Sequence, residues 1–100
     1  MKKKVYLAGP MSGLPDNNYP AFNAEAARLR ALGYSVENPA ENTPPECNSW
    51  SGWMRLSIRQ MLTCDIVALL SGWPYSRGAR IEYNLAQELD IECRIVSNVS

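Results

Sequence analysis

The chain has 100 residues, 46% of them hydrophobic, enough for one core and one domain spanning residues 1–100. Ten Lys and Arg balance ten Asp and Glu to a formal charge of zero, which excludes the electrostatic footprint of a general nucleic-acid binder. There is no histidine, and Cys47, Cys64 and Cys93 have no C-x-x-C spacing; this rules out Ser-His-Asp and Cys-His catalysis and argues against a zinc site, so neither metal nor cofactor is expected.

In chain order, the basic run Lys2-Lys3-Lys4 reads as a solvated strand end, and residues 4–8 as the first strand. The loop from Gly9 to Tyr19 follows, and its Gly9-x-x-x-Gly13 spacing matches neither common phosphate-loop motif. Residues 20–33 read as a helix, with Pro20 in its opening turn, Gly33 at its end and Phe22, Ala26 and Leu29 as the buried stripe. The second strand is residues 34–37, and a long loop reaches Trp50. A second helix over residues 51–63 is expected to bury Met54, Ile58, Met61 and Leu62, before a third strand at 65–70. The third helix, residues 76–89, leads to a fourth strand at 92–96. This alternation predicts an α/β domain: an open, Rossmann-like parallel sheet of about four strands in the order 2-1-3-4, with helices on both faces. No apolar stretch approaches the roughly 18 residues of a membrane span, and residues 5–8 are too short for a signal-peptide core. A cytoplasmic protein without a membrane partner is expected.

Glu82 is the most informative residue. At 3.6 residues per turn it shares a face with Leu85, Ala86 and Leu89, while Arg80, Asn84, Gln87 and Glu88 fall on the other side. An acid set into an apolar stripe is costly unless it is used. A buried ion pair with Arg77 or a neighbour is the competing explanation. Ser76 is placed to cap this helix, and Gly78 to let a ligand approach its N-terminus. Trp50, Trp53, Trp73 and Tyr75 crowd the loops at the same sheet edge, where their rings can stack on a base or close a core. Asp16 lies in the Pro15-Asp16-Asn17 turn, a usual place for Asp on turn chemistry alone. The two long loops after the first and second strands, and a third over residues 71–77, leave strand C-termini, the edge at which open parallel sheets bind ligands.

Three segments carry a family resemblance: Val5-Tyr6-Leu7-Ala8-Gly9-Pro10-Met11, Gly33-Tyr34-Ser35-Val36-Glu37-Asn38-Pro39, and Cys64-Asp65-Ile66-Val67-Ala68-Leu69-Leu70 leading to Ser76-Arg77-Gly78-Ala79-Arg80-Ile81-Glu82. Together they resemble the nucleoside 2-deoxyribosyltransferase-like superfamily, in particular a small bacterial and phage branch of it. The resemblance implies that Glu82 is the nucleophile, that Tyr6, Gly9 and Met11 line the sugar and base pocket, and that Ser76 and Gly78 hold the 5′ end of a nucleoside or nucleotide. It also implies a homo-oligomer, a dimer or a dimer of dimers, in which a neighbouring subunit contributes from near its C-terminus, with Ser97 and Asn98 as the candidates. The superfamily's aspartate on the second helix, eight residues before the one matching Asp65, is replaced here by Ser57. Ser57 shares an inward face with Trp53, Met54 and Met61.

The expected activity is therefore cleavage or transfer at the N-glycosidic bond of a (deoxy)nucleoside or nucleotide. Glu82 would attack, Asp16 or Tyr6 would assist through a water, and Gly9, Met11, Ser57, Trp73, Ser76, Gly78 and Asn98 would contact substrate. The alternatives are a non-catalytic nucleotide or ribose-derivative binding module of the same fold, and an oligomeric structural protein whose aromatic loops make subunit contacts.

Overall fold

The computed structural model describes residues 3–100; Lys2 of the basic run lies outside them. Four strands, β1 (Lys4–Ala8), β2 (Ser35–Glu37), β3 (Ile66–Leu69) and β4 (Glu92–Ile95), form one all-parallel sheet in the order β2-β1-β3-β4. Three helices intervene: α1 (Tyr19–Ala31), α2 (Trp50–Met61) and α3 (Arg77–Glu88). The fold class and strand order are those expected from the alternation of elements. Lys3 and Lys4 at the strand end reach Glu92 and Glu37, 3.9 and 3.4 Å away.

Strand alternation divides the core. Val5 and Leu7 of β1, with Ile66 and Ala68 of β3, pack with Phe22, Ala26 and Leu29 of α1. Tyr6 and Ala8, with Val67 and Leu69, pack on the opposite face with Met61 of α2 and Ala79 and Ala86 of α3. The β1-to-β2 and β3-to-β4 connections run in opposite directions across the sheet. Right-handed crossovers therefore put α1 and α3 on opposite faces, and a crevice opens where β1 and β3 diverge beyond their C-termini.

Two helix-face expectations are corrected. Leu62 and Leu89 are 50% and 51% exposed. Both are C-cap residues, of α2 and α3 respectively, where the helix ends and its buried stripe with it. Met54 and Ile58 are half-buried, and of the four α2 positions expected in the core only Met61 is fully enclosed. The C-terminal segment closes over α1: Val96 and Val99 join its core, and the Arg28 guanidinium donates to the Val96 and Val99 carbonyls at 2.8 and 3.0 Å. The three cysteines are unbridged. Among the described residues no helix is long and apolar enough to cross a membrane.

Candidate functional site

The crevice holds a cavity of about 530 Å³, within the range of small-molecule sites. Its floor is made by Tyr6 at the centre of β1 and Glu82 on α3. Tyr6 is an even-numbered residue of β1, so the pleat points it to the α3 side of the sheet. Glu82 sits on the α3 face that also buries Ala79 and Ala86. The Tyr6 hydroxyl donates a hydrogen bond to Glu82 Oε2.

Glu82 is only 5% exposed. Desolvation raises its carboxyl from the ordinary 4.5 to about 7, against the opposing pull of the Tyr6 hydrogen bond. Burial, followed by the nearby Glu82 charge, pushes the Tyr6 hydroxyl well above its usual range, while a hydrogen bond from Ser57 acts in the other direction. Arg77 does not neutralise the acid. Its guanidinium lies over the Trp50 ring, 4.1 Å from the centroid, and among the described residues no cation is within ion-pair distance of Glu82. The ion-pair explanation for the buried acid is thus removed.

Three loops shape the walls. After β1, Gly9, Pro10 and Met11 line the cavity. Gly9 is required by packing: a Cβ there would lie 2.8 Å from Leu70 Cβ. Asn18 ties the end of this loop back, its Nδ2 donating to the Pro10 carbonyl at 2.9 Å. Asp16, Asn17 and Asn18 have φ of 52°, 53° and 61°, a left-handed turn that Asp and Asn tolerate better than other side chains. In this turn Asn17 lines the cavity and Asp16, exposed, does not. Asp16 is therefore not assembled with Glu82.

In the second loop, buried Asn38 donates to Asn23 Oδ1 at 3.0 Å and accepts from the Ala40 amide at 3.1 Å, holding Pro39 against the cavity. Ser49 caps α2 through the Gly52 amide at 3.0 Å. That start places Trp50, Trp53, Met54 and Ser57 on the lining, with Trp53 Nε1 tied to Asn48 Oδ1 at 3.0 Å. The third loop ends at Ser76, whose Oγ accepts from the Ala79 amide at 3.2 Å, the expected N-cap. Gly78 lines the cavity, but its missing side chain also serves helix packing, since a Cβ would meet Met54 Sδ at 3.0 Å.

Of the ten residues singled out in the sequence, Tyr6, Gly9, Met11, Ser57, Ser76, Gly78 and Glu82 meet at this cavity. Asp16 and Trp73 do not line it, and Asn98 is expected to act on a neighbouring subunit's cavity rather than on this one. Trp73 turns into the core instead, its ring 4.8 Å from that of Tyr83. Asn98 is exposed, in the C-terminal segment fastened to α1. The Trp50–Arg77 contact had no local signal, because it joins the starts of two helices that meet only in the folded chain.

A parallel α/β domain with one desolvated glutamate in the crevice at its strand switch is the class that fold and site define. Within that class, the chain belongs to the family described as "Domain of unknown function (DUF4406)", whose model matches residues 3–95 and so spans every strand and helix above. Comparison with curated proteins finds no match.

Proposed function

We propose that the protein cleaves or transfers the N-glycosidic bond of a (deoxy)nucleoside or nucleotide, with Glu82 as nucleophile. The observation that carries this reading is Glu82 itself: an acid 5% exposed, facing a cavity, with a tyrosine hydroxyl as partner and, among the described residues, no cation within ion-pair distance. The resemblance to the nucleoside 2-deoxyribosyltransferase-like superfamily supports it independently, since that resemblance assigns the nucleophile to the same residue.

In this reading a Glu82 carboxylate oxygen bonds to the anomeric carbon as the carbon–nitrogen bond breaks, and the electron pair leaves with the base. Water, or a second base, then attacks the same carbon and releases the carboxylate. Tyr6 steadies the ionised form by its hydrogen bond and orients the attacking oxygen. Trp50, Trp53 and Tyr75 offer ring faces to the base. The molecule acts as a dimer or a dimer of dimers, a state supported by the exposed Leu32, Leu62, Leu89 and Ile95 side chains.

Incubation with a panel of deoxynucleosides and 5′-nucleotides, followed by intact-mass analysis, tests the mechanism. The expected result is base release together with a protein adduct equal to the dehydrated sugar, both lost in Glu82→Gln. One observation favours a second reading, a non-catalytic nucleotide or ribose-derivative binding module: the position of the superfamily's second carboxylate holds Ser57, which lines the cavity but cannot act as an acid near neutral pH. Binding without base release by the wild type would select that module.

A further inference from the structure

Breaking an N-glycosidic bond requires the base to depart with an electron pair, and a neutral base departs readily only if an acid protonates it. Among the described residues the cavity lining holds no carboxyl group besides Glu82. Among the described residues its titratable lining consists of Tyr6, Tyr19, Tyr75, Arg77 and Glu82. Tyr6, the tyrosine in contact with Glu82, commits its proton to that carboxylate. Glu82 cannot serve as nucleophile and acid in the same step. The residues assigned by resemblance to a neighbouring subunit's contribution, Ser97 and Asn98, carry no carboxyl group either.

Two further features suit a base that arrives with its positive charge in place. The Glu82 carboxylate is desolvated and among the described residues has no cationic partner, so a cationic substrate would supply a counter-charge. The lining includes the aromatic rings of Trp53 and Tyr75, and aromatic rings attract cations. Trp50 already accepts one, the Arg77 guanidinium. Arg77 itself begins α3, five residues before Glu82 and so about 7.5 Å along the helix axis from it.

We propose that the preferred substrates are nucleosides or nucleotides whose base is a quaternised, cationic heterocycle, such as an N7-alkylated purine or an N-ribosylated pyridinium, which leaves as a neutral molecule without being protonated. The proposal rests on the glycosyl-transfer reading and narrows its substrate class. The charges balance. The Glu82 carboxylate bonds to the anomeric carbon while the electron pair of the carbon–nitrogen bond passes to the cationic ring, so an anion and a cation become a neutral ester and a neutral base. Water then forms a bond to that carbon, the ester carbon–oxygen bond breaks back to the carboxylate, and the water proton passes to solvent.

The test compares base release from 7-methylguanosine and 7-methyl-2′-deoxyguanosine with release from guanosine and 2′-deoxyguanosine, each corrected for the rate without protein. General-acid assistance is worth about 10²–10⁴-fold, so kcat/KM for the methylated member should exceed that of its parent by at least about 10²-fold. Ser57→Asp, which supplies a carboxyl group to the cavity, should raise cleavage of the unmethylated nucleosides and so narrow the ratio between the two classes. Glu82→Gln, checked for native circular dichroism, should abolish both. Parent nucleosides cleaved within tenfold of the methylated ones would overturn the preference and leave Glu82 chemistry standing. Cleavage of neither class, nor of nicotinamide riboside, would overturn the glycosyl-transfer reading, and the preference with it.

Discussion

Replacing Glu82 by Gln keeps the side chain's size and its ability to accept the Tyr6 hydrogen bond, but removes the charge. The unfolded chain ionises Glu82 at its ordinary value, whereas burial delays ionisation in the folded chain from 4.5 to about 7. Between those values the folded state binds the extra proton. Stability from this group is therefore complete below about 4.5, is lost as pH rises to about 7, and is level beyond. At about 1.4 kcal/mol per pH unit the whole difference is about 3 kcal/mol, of which about 2–3 kcal/mol falls between pH 5 and pH 8. Tyr6, its contacting titratable neighbour, has its hydroxyl pushed well above the phenol range and stays protonated throughout. Urea unfolding of wild type and Glu82→Gln at half-unit pH steps isolates the effect, because every other group cancels in the difference. The wild type should lose about 2–3 kcal/mol relative to the variant across that window, equivalent to about 10–20 °C in Tm for a domain of this size. Curves that stay parallel within about 0.5 kcal/mol would show that Glu82 ionises as an exposed acid does, and the desolvated nucleophile would be refuted.

Tyr6→Phe removes the hydrogen bond that holds the Glu82 carboxyl down, and a bond to a charged group is worth about 1.5–3 kcal/mol. The ionisation of Glu82, read by carbon-13 NMR of the labelled carboxyl, should rise by about 1–2 units; no change would mean that the hydroxyl does not donate to it. Gly9→Ala drives a Cβ to 2.8 Å from Leu70 Cβ, and overpacking of this kind costs about 1–3 kcal/mol, measurable as a lower urea midpoint. Arg28→Ala frees the Val96 and Val99 carbonyls held at 2.8 and 3.0 Å, so amide exchange should quicken from residue 96 onward while the β1 amides remain protected. Light scattering at micromolar concentration should give the mass of a dimer or tetramer, and a monomer would remove the shared-site expectation.

The sequence by itself determined the order of elements, the parallel sheet and the inward face of Glu82. Each of these follows from local periodicity: period two in the strands, 3.6 in the helices, and a handedness rule that leaves few strand orders. The Ser76 cap was legible for the same reason, because a cap is a contact between residues three apart. Tertiary structure decided between the two partners expected for Glu82, Tyr6 and Asp16, and made the Tyr6 contact a direct hydrogen bond. Tyr6 lies 76 residues away in the chain and meets Glu82 only because β1 runs through the middle of the sheet with that residue on the α3 side. Trp73 and Asp16, both expected at the site, are not on the cavity lining. Both occupy loops at the binding edge, but the third loop turns Trp73 onto Tyr83, and the left-handed turn at residues 16–18 exposes Asp16 while Asn17 lines the cavity. A loop's place at the sheet edge follows from topology. The direction of each side chain within it depends on backbone dihedrals and on packing partners distant in sequence, and neither leaves a periodic trace.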